Sequence, residues 1–247
     1  MIERISSKNV IYLEAERLFT TALGKLSNVN ILLDIGCGIV PQKYIKANVH
    51  ICCEPFYQYV EVLQKNVLKN RQVEHNGTSY AVMNATWDQV LNFFPERSVD
   101  SVFLIDVVEH LKKEDALELI KKTEKIVKKQ IAIFTPLGFL PQEHPDGKDA
   151  WGLDGGAWQE HKSGWLPQDF DVSWDILVAE VFHTANNMGK EFDTPHGALW
   201  AIKTFDSISN YVSYEEKNRL IDENLIISKK SQKYKIHAAI EKLTNIF

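Results

Sequence analysis

The sequence predicts an α/β fold: a doubly wound, mostly parallel seven-stranded sheet with helices on both faces, an antiparallel last strand and a helical C-terminal extension. Three observations predict it. Short β-branched and apolar runs, of the kind buried on both faces, alternate with helical stretches between residues 29 and 134. The first run stops in a glycine turn, Gly36-Cys37-Gly38, and an acid, Glu54, closes the second. Such alternation calls for right-handed βαβ crossovers and therefore for parallel pairing.

Taken in order, residues 2–25 place Val10, Leu13, Leu18 and Leu23 among polar neighbours, which predicts one or two amphipathic helices capping the domain. Val29–Ile35 is the most strand-like run in the chain. Residues 49–54 form a second strand, and 59–67 have apolar spacing that suits a helix. Further strands are expected at 79–83, 101–105 and 130–134, with a Lys/Glu-rich helix at 112–129 that aligns Leu117, Ile120 and Val127.

From Pro136 to about Asp171 the chain turns rich in Gly, Pro, Trp, His and Asp, and a loop of that length inside a compact domain reads as a lid or binding loop. Residues 174–182 and 198–204 predict two more strands, joined as a hairpin by a polar loop at 184–196. After about Ser207 the composition is helical, with Ile236, Ile240, Leu243 and Phe247 on one stripe that packs on the domain or joins two copies as a homodimer. The expected division is a helical cap at 1–25, a main domain at 26–206 with an acceptor-binding insertion at about 137–171, and a helical extension at 207–247.

The 247 residues are 45% hydrophobic and 25% charged, as in an enzyme-sized globular domain. Lys+Arg of 28 against Asp+Glu of 33 leaves a net charge of -5, which lacks the basic footprint of a nucleic-acid-binding protein. Cys37, Cys52 and Cys53 make no even disulfide framework and no Cys-x-x-Cys zinc spacing, so a reducing cytoplasm and no metal are expected. No stretch approaches the ~18 apolar residues that span a bilayer. No membrane partner is expected.

In a doubly wound sheet ligands bind beyond the carboxyl ends of the strands, which places a nucleotide-like cofactor at Asp34-Ile35-Gly36-Cys37-Gly38. Glycine lets the backbone approach a ligand closely. Glu54, at the end of the second strand, is placed to accept the two hydroxyls of a ribose. A nicotinamide dinucleotide would want Gly-x-Gly-x-x-Gly, and Pro41 stands where the third glycine belongs. Gly36 and Gly38 could also serve only a tight turn, Asp106 could be an N-cap, and His110 could be a buried histidine satisfied by backbone.

Asp34-x-Gly36-x-Gly38 after Val29–Leu33 resembles motif I of the class I S-adenosylmethionine-dependent methyltransferases, and Glu54-Pro55 resembles their ribose-binding acid. Asn84-Ala85 resembles the position that meets the adenine edge. Asp106-Val107-Val108-Glu109-His110-Leu111 is similar to the segment after the fourth strand, and Thr135-Pro136 to the close of the fifth. His161-Lys162-Ser163-Gly164-Trp165 resembles the lead into the sixth strand, so that the likeness spans roughly residues 25–205. It implies S-adenosylmethionine as cofactor, with Asp34, Gly36, Cys37, Gly38, Glu54, Pro55, Asn84, Ala85, Asp106, Val107 and His110 around it. Two departures stand out: Ile39-Val40-Pro41-Gln42 replaces a further glycine, and Asn84 replaces an aspartate.

The insertion combines titratable groups, aromatic walls and glycines, which makes it the expected acceptor pocket. His161, or failing that His144, is the candidate base or acceptor orienter, and Asp154, Trp158 and Trp165 are candidate acceptor contacts. The histidines could equally pin a loop, and the aromatics could be its miniature core. The expected activity is methyl transfer to oxygen, less readily nitrogen, on a small polar or sugar-containing acceptor. Competing readings are a non-catalytic protein that keeps the fold as scaffold or cofactor sensor, and a nicotinamide-dependent enzyme.

Overall fold

A computed structural model describes residues 4–6, 9–74, 77–186 and 189–205. The predicted C-terminal extension and its dimerising stripe lie outside the described residues.

The centre of the sheet forms because its strands are apolar on both sides. In β3 (Val29–Ile35), β6 (Val99–Ile105) and β7 (Val127–Leu137) alternate residues enter opposite cores. Leu32, Phe103, Ile105, Ala132 and Phe134 pack with Leu18, Ala22 and Leu23 of helix α1 (Ala15–Lys25). Leu33, Val102, Leu104, Ile131 and Ile133 pack on the other face with Leu119 and Ile120 of α4 (Lys113–Ile126) and Val90 of α3 (Trp87–Phe93). Full burial of each such Val, Leu, Ile or Phe side chain is worth about 1.5–3 kcal/mol. Helix α2 (Tyr57–Glu74) covers β4 (Ala47–Glu54) through Leu63 and Val67, and β5 (Ser79–Asn84) follows it.

With β1 at Arg4–Ser6 and β2 at Val10–Tyr12, the sheet has nine strands in the order β1-β2-β8-β9-β7-β6-β3-β4-β5. The five strands β5, β4, β3, β6 and β7 run parallel, and β9 (Glu191–Thr204) is antiparallel to β7 and to β8 (Asp175–Ala185). The order reverses between β3 and β6, so their carboxyl ends flank the switch point.

Three expectations need correction. The N-terminal residues are not a purely helical cap: Arg4–Ser6 is β1 and Val10–Tyr12 is β2, which adds in parallel to the edge of β8 at Val10↔Ile176. With β1 and β2 the sheet has nine strands, not seven. The polar loop expected at 184–196 is mostly strand, since β8 runs on to Ala185 and β9 starts at Glu191. The projecting ribbon is half solvated, which lets polar residues occupy it. The crossover from β3 to β4 is a plain loop, residues 36–46, anchored by the buried Ile45. Among the described residues no helix is long and apolar enough to cross a membrane.

Candidate cofactor and acceptor site

The ends of four parallel strands converge around the glycine turn. Gly36 and Gly38 have φ of +69° and +63°, a region costly to residues with a Cβ. A Cβ at Gly36 would stand 2.8 Å from Val107 Cγ2, so this close approach admits glycine alone. The Gly36 N–H donates to Cys53 O at 2.8 Å, which ties the turn to β4. Ala85 N–H donates to Glu54 O at 3.3 Å, and the Asn84 amide donates to Glu54 O and Pro55 O at 2.9 and 2.8 Å. Asp106 is exposed at the end of β6, with φ of +53° and its N–H on Phe134 O.

Glu54 faces the turn itself. One carboxylate oxygen accepts the Gly38 N–H at 3.0 Å and the other accepts the Phe56 N–H at 3.0 Å. Burial outweighs these two bonds and raises its pKa to about 7. Asp34 lies beneath the turn, where its Oδ2 accepts the Gln42 N–H at 3.0 Å and pairs with His50 Nε2 at 3.0 Å. Burial works against the His50 imidazolium, yet its bonds with Asp34 and Cys52 prevail and raise its pKa to about 9. Asp34 therefore holds the loop from below. Cys37 packs as a small apolar group against Cys52, Leu63 and Val67, its thiol held well above the ordinary range by the Cys52 thiol, burial and Asp34.

The long insertion closes over this turn. Asp149 is its knot: Oδ1 accepts the N–H groups of Trp151 and Leu153 at 2.8 and 3.0 Å, and Oδ2 accepts the Tyr59 hydroxyl at 2.6 Å. The Trp151 ring then meets Tyr59 edge-on at 5.0 Å and lies 3.3 Å from where a Gly38 Cβ would be. Trp158 stacks over Phe56 at 6.3 Å and stays 44% exposed.

The candidate acceptor residues divide. His161 and His110 meet with ring centroids 4.9 Å apart, beside the buried Glu109. His144 bonds Lys148 O through Nδ1 at 2.8 Å, and its Nε2 is buried with no partner among the described residues. Trp165 is not an acceptor wall: it is fully buried in the core, with Lys113 Nζ 3.5 Å over its ring and its indole N–H on Ser163. Asp154 is drawn away as well, to an exposed pair with Lys148 and a bond from Gln58 at the N-terminal end of α2.

Sequence reasoning missed His50, Tyr59 and Asp149. His50 had a signal, since i and i+2 of a strand share a face and Cys52 registers with Asp34. The Tyr59–Asp149 bond joins residues 90 apart and has no local signature.

No family model matches the chain, and no curated protein matches it. Among solved structures it is similar to the small RNA methyltransferase HEN1, with a TM-score of 0.50 and 15% identity over 86% of this chain and 28% of that one. The chain thus spans less than a third of that protein. An S-adenosylmethionine-dependent methyltransferase from Archaeoglobus fulgidus aligns at TM-score 0.46 and 15% identity, covering 76% of this chain and 91% of that one. The magnesium protoporphyrin IX methyltransferase of Synechocystis aligns at 0.42 and 15%, covering 74% of each chain. At such identities the likeness is one of fold, and the chain has the class I methyltransferase fold.

Proposed function

We propose that the protein is an S-adenosylmethionine-dependent methyltransferase acting on an oxygen of a small polar or sugar-containing acceptor. The observation that carries this reading is the glycine turn at the switch point of the sheet, with a buried acid hydrogen-bonded to its second glycine. The residues fit such a cofactor: Gly36 and Gly38 supply a left-handed turn without side chains beside the buried Glu54, and the Asn84 amide nitrogen is committed to backbone, so its oxygen is the group to meet an adenine amine. Glu54 would take the ribose, and Asp106 and Val107 would border the adenine and methionine ends.

The bound cofactor supplies a sulfonium whose methyl group is already electrophilic. The chain has to align the acceptor and exclude water, and the insertion pinned by Asp149 and Trp151 is suited to both. A hydroxyl acceptor also needs a base. Burial and the neighbouring His144 lower the pKa of His161, its Nδ1 bonds Leu140 O at 2.6 Å, and its Nε2 therefore carries the basic lone pair. His144 is the second candidate. The net charge of -5 disfavours a nucleic-acid acceptor, and a reaction in the cytoplasm fits the unpaired thiols.

The test is release of S-adenosylhomocysteine from S-adenosylmethionine across a panel of hydroxy, carboxy and amino sugars and acids. Acceptor-dependent release that falls at least tenfold in His161→Ala or His144→Ala supports the reading. Cofactor binding without turnover on any acceptor would favour the sensor or scaffold, and an amine as the only acceptor would move the transfer to nitrogen.

A further inference from the structure

The segment after β6 and the insertion bring together more imidazoles than the single base a hydroxyl acceptor needs. Glu109, His110 and His161 each present one ligand atom within 4.8 Å of the others. Both rings are oriented in the same way: Nδ1 of His110 donates to Glu160 O at 3.2 Å, and Nδ1 of His161 donates to Leu140 O at 2.6 Å. A carbonyl accepts only from a protonated nitrogen, so each ring keeps its Nε2 lone pair for another partner. This backbone-fixed tautomer is the arrangement by which proteins orient imidazole ligands of metals.

The three groups are also rigidly placed. The Glu109 carboxylate accepts the Thr135 hydroxyl at 3.0 Å, and Glu109 O receives the N–H groups of Lys162 and Ser163 at 2.7 and 3.1 Å. The segment after β6 is thereby stapled to the segment that carries His161. His144 and His183 lie near enough to disfavour protonation of these rings or to be disfavoured by them, and Nε2 of both is buried with no partner among the described residues.

We infer that Glu109, His110 and His161 bind one divalent transition-metal cation, and that this ion holds an oxygen of the acceptor. Two imidazoles and one carboxylate suit Zn²⁺, Mn²⁺, Fe²⁺ or Co²⁺ and leave coordination positions open. Zinc ligands at about 2.0–2.2 Å lie roughly 3–3.5 Å from one another, so the present spacing closes with small side-chain rotations. The second half of the inference rests on the methyltransferase reading. With His161 engaged, His144 Nε2 is the nitrogen left to accept a proton from a hydroxyl.

The experiment is titration of metal-free protein with Co²⁺, followed by its visible absorption, and with Zn²⁺ by calorimetry, without cofactor or acceptor. One equivalent is expected to bind, with Co²⁺ bands of a low-coordinate nitrogen and oxygen site. His161→Ala and Glu109→Gln are expected to weaken binding more than about 100-fold. His161→Asp is expected to retain Co²⁺ with a shifted spectrum, which a purely structural role would not give. Should the variants fail to fold, the unaltered protein decides: bound Zn²⁺ should protect His110 and His161, but not His196, from carbethoxylation. No saturable binding to folded protein, binding indifferent to His161→Ala where that variant folds, or absence of protection at His110 and His161 overturns the site. Cofactor titration is a separate measurement, so failure of the cofactor reading and failure of the metal site are told apart.

Discussion

Glu54→Gln separates recognition of a ribose from mere turn geometry. With a pKa of about 7 the carboxyl is mostly protonated at pH 6 and mostly ionised at pH 8. Ligand hydroxyls donate to a carboxylate and not to its protonated face, so cofactor affinity should fall about tenfold from pH 8 to pH 6, equivalent to about 1.4 kcal/mol. In the variant one amide oxygen can accept from Gly38 or from Phe56, and the amide NH₂ confronts the other N–H. Losing one charge-assisted bond in a buried site costs about 1.5–3 kcal/mol, or about 10- to 100-fold in affinity at pH 8. Calorimetric titration with S-adenosylhomocysteine at pH 6, 7 and 8 reads both effects, and the variant subtracts the ligand's own ionisation. A ratio of wild-type to variant affinity that stays constant over this range would refute the reasoning.

Other outcomes follow from the same geometry. His50 has a pKa raised from 6.5 to about 9, so its pairing contributes stability that is complete below pH 6.5 and lost as pH rises through 9. Asp34→Asn should destabilise by about 3–5 kcal/mol near neutral pH and flatten that window in urea titrations; an unchanged profile would remove the ion pair from the account. Gly36→Ala should cost about 2–5 kcal/mol, from the left-handed backbone and the Val107 clash together, whereas Gly24→Ala in α1, with open space around it, should stabilise by up to about 1 kcal/mol; thermal denaturation compares them. Because Trp151 lies against Gly38, S-adenosylhomocysteine should alter the intrinsic fluorescence, and Trp151→Phe should abolish that signal while calorimetric binding persists.

The parts of the fold that could be read from sequence are those whose cause is local. β3, β6 and β7 announce themselves because strands buried on both faces need unbroken apolar runs, and the turn because positive φ at Gly36 and Gly38 requires glycine. β2 could not be read, because three residues acquire strand geometry only from the open edge of β8. Trp165 misled for a related reason: an aromatic in a Gly-rich loop looks like a binding wall, and only the tertiary fold drives it beneath Lys113 into the core. The meeting of His110 and His161 joins two segments that pair through backbone bonds to Glu109, and no spacing in the chain announces it.

The central claim, that the ends of the parallel strands cradle S-adenosylmethionine, is tested most directly by mapping bound S-adenosylhomocysteine onto backbone amides by NMR. The account predicts saturable shifts concentrated at Gly36–Gly38, Glu54, Phe56, Asn84, Ala85, Asp106 and Val107. Shifts confined to the surface groove around Tyr57, Lys65 and Lys148, or none in a folded sample at millimolar ligand, would contradict it.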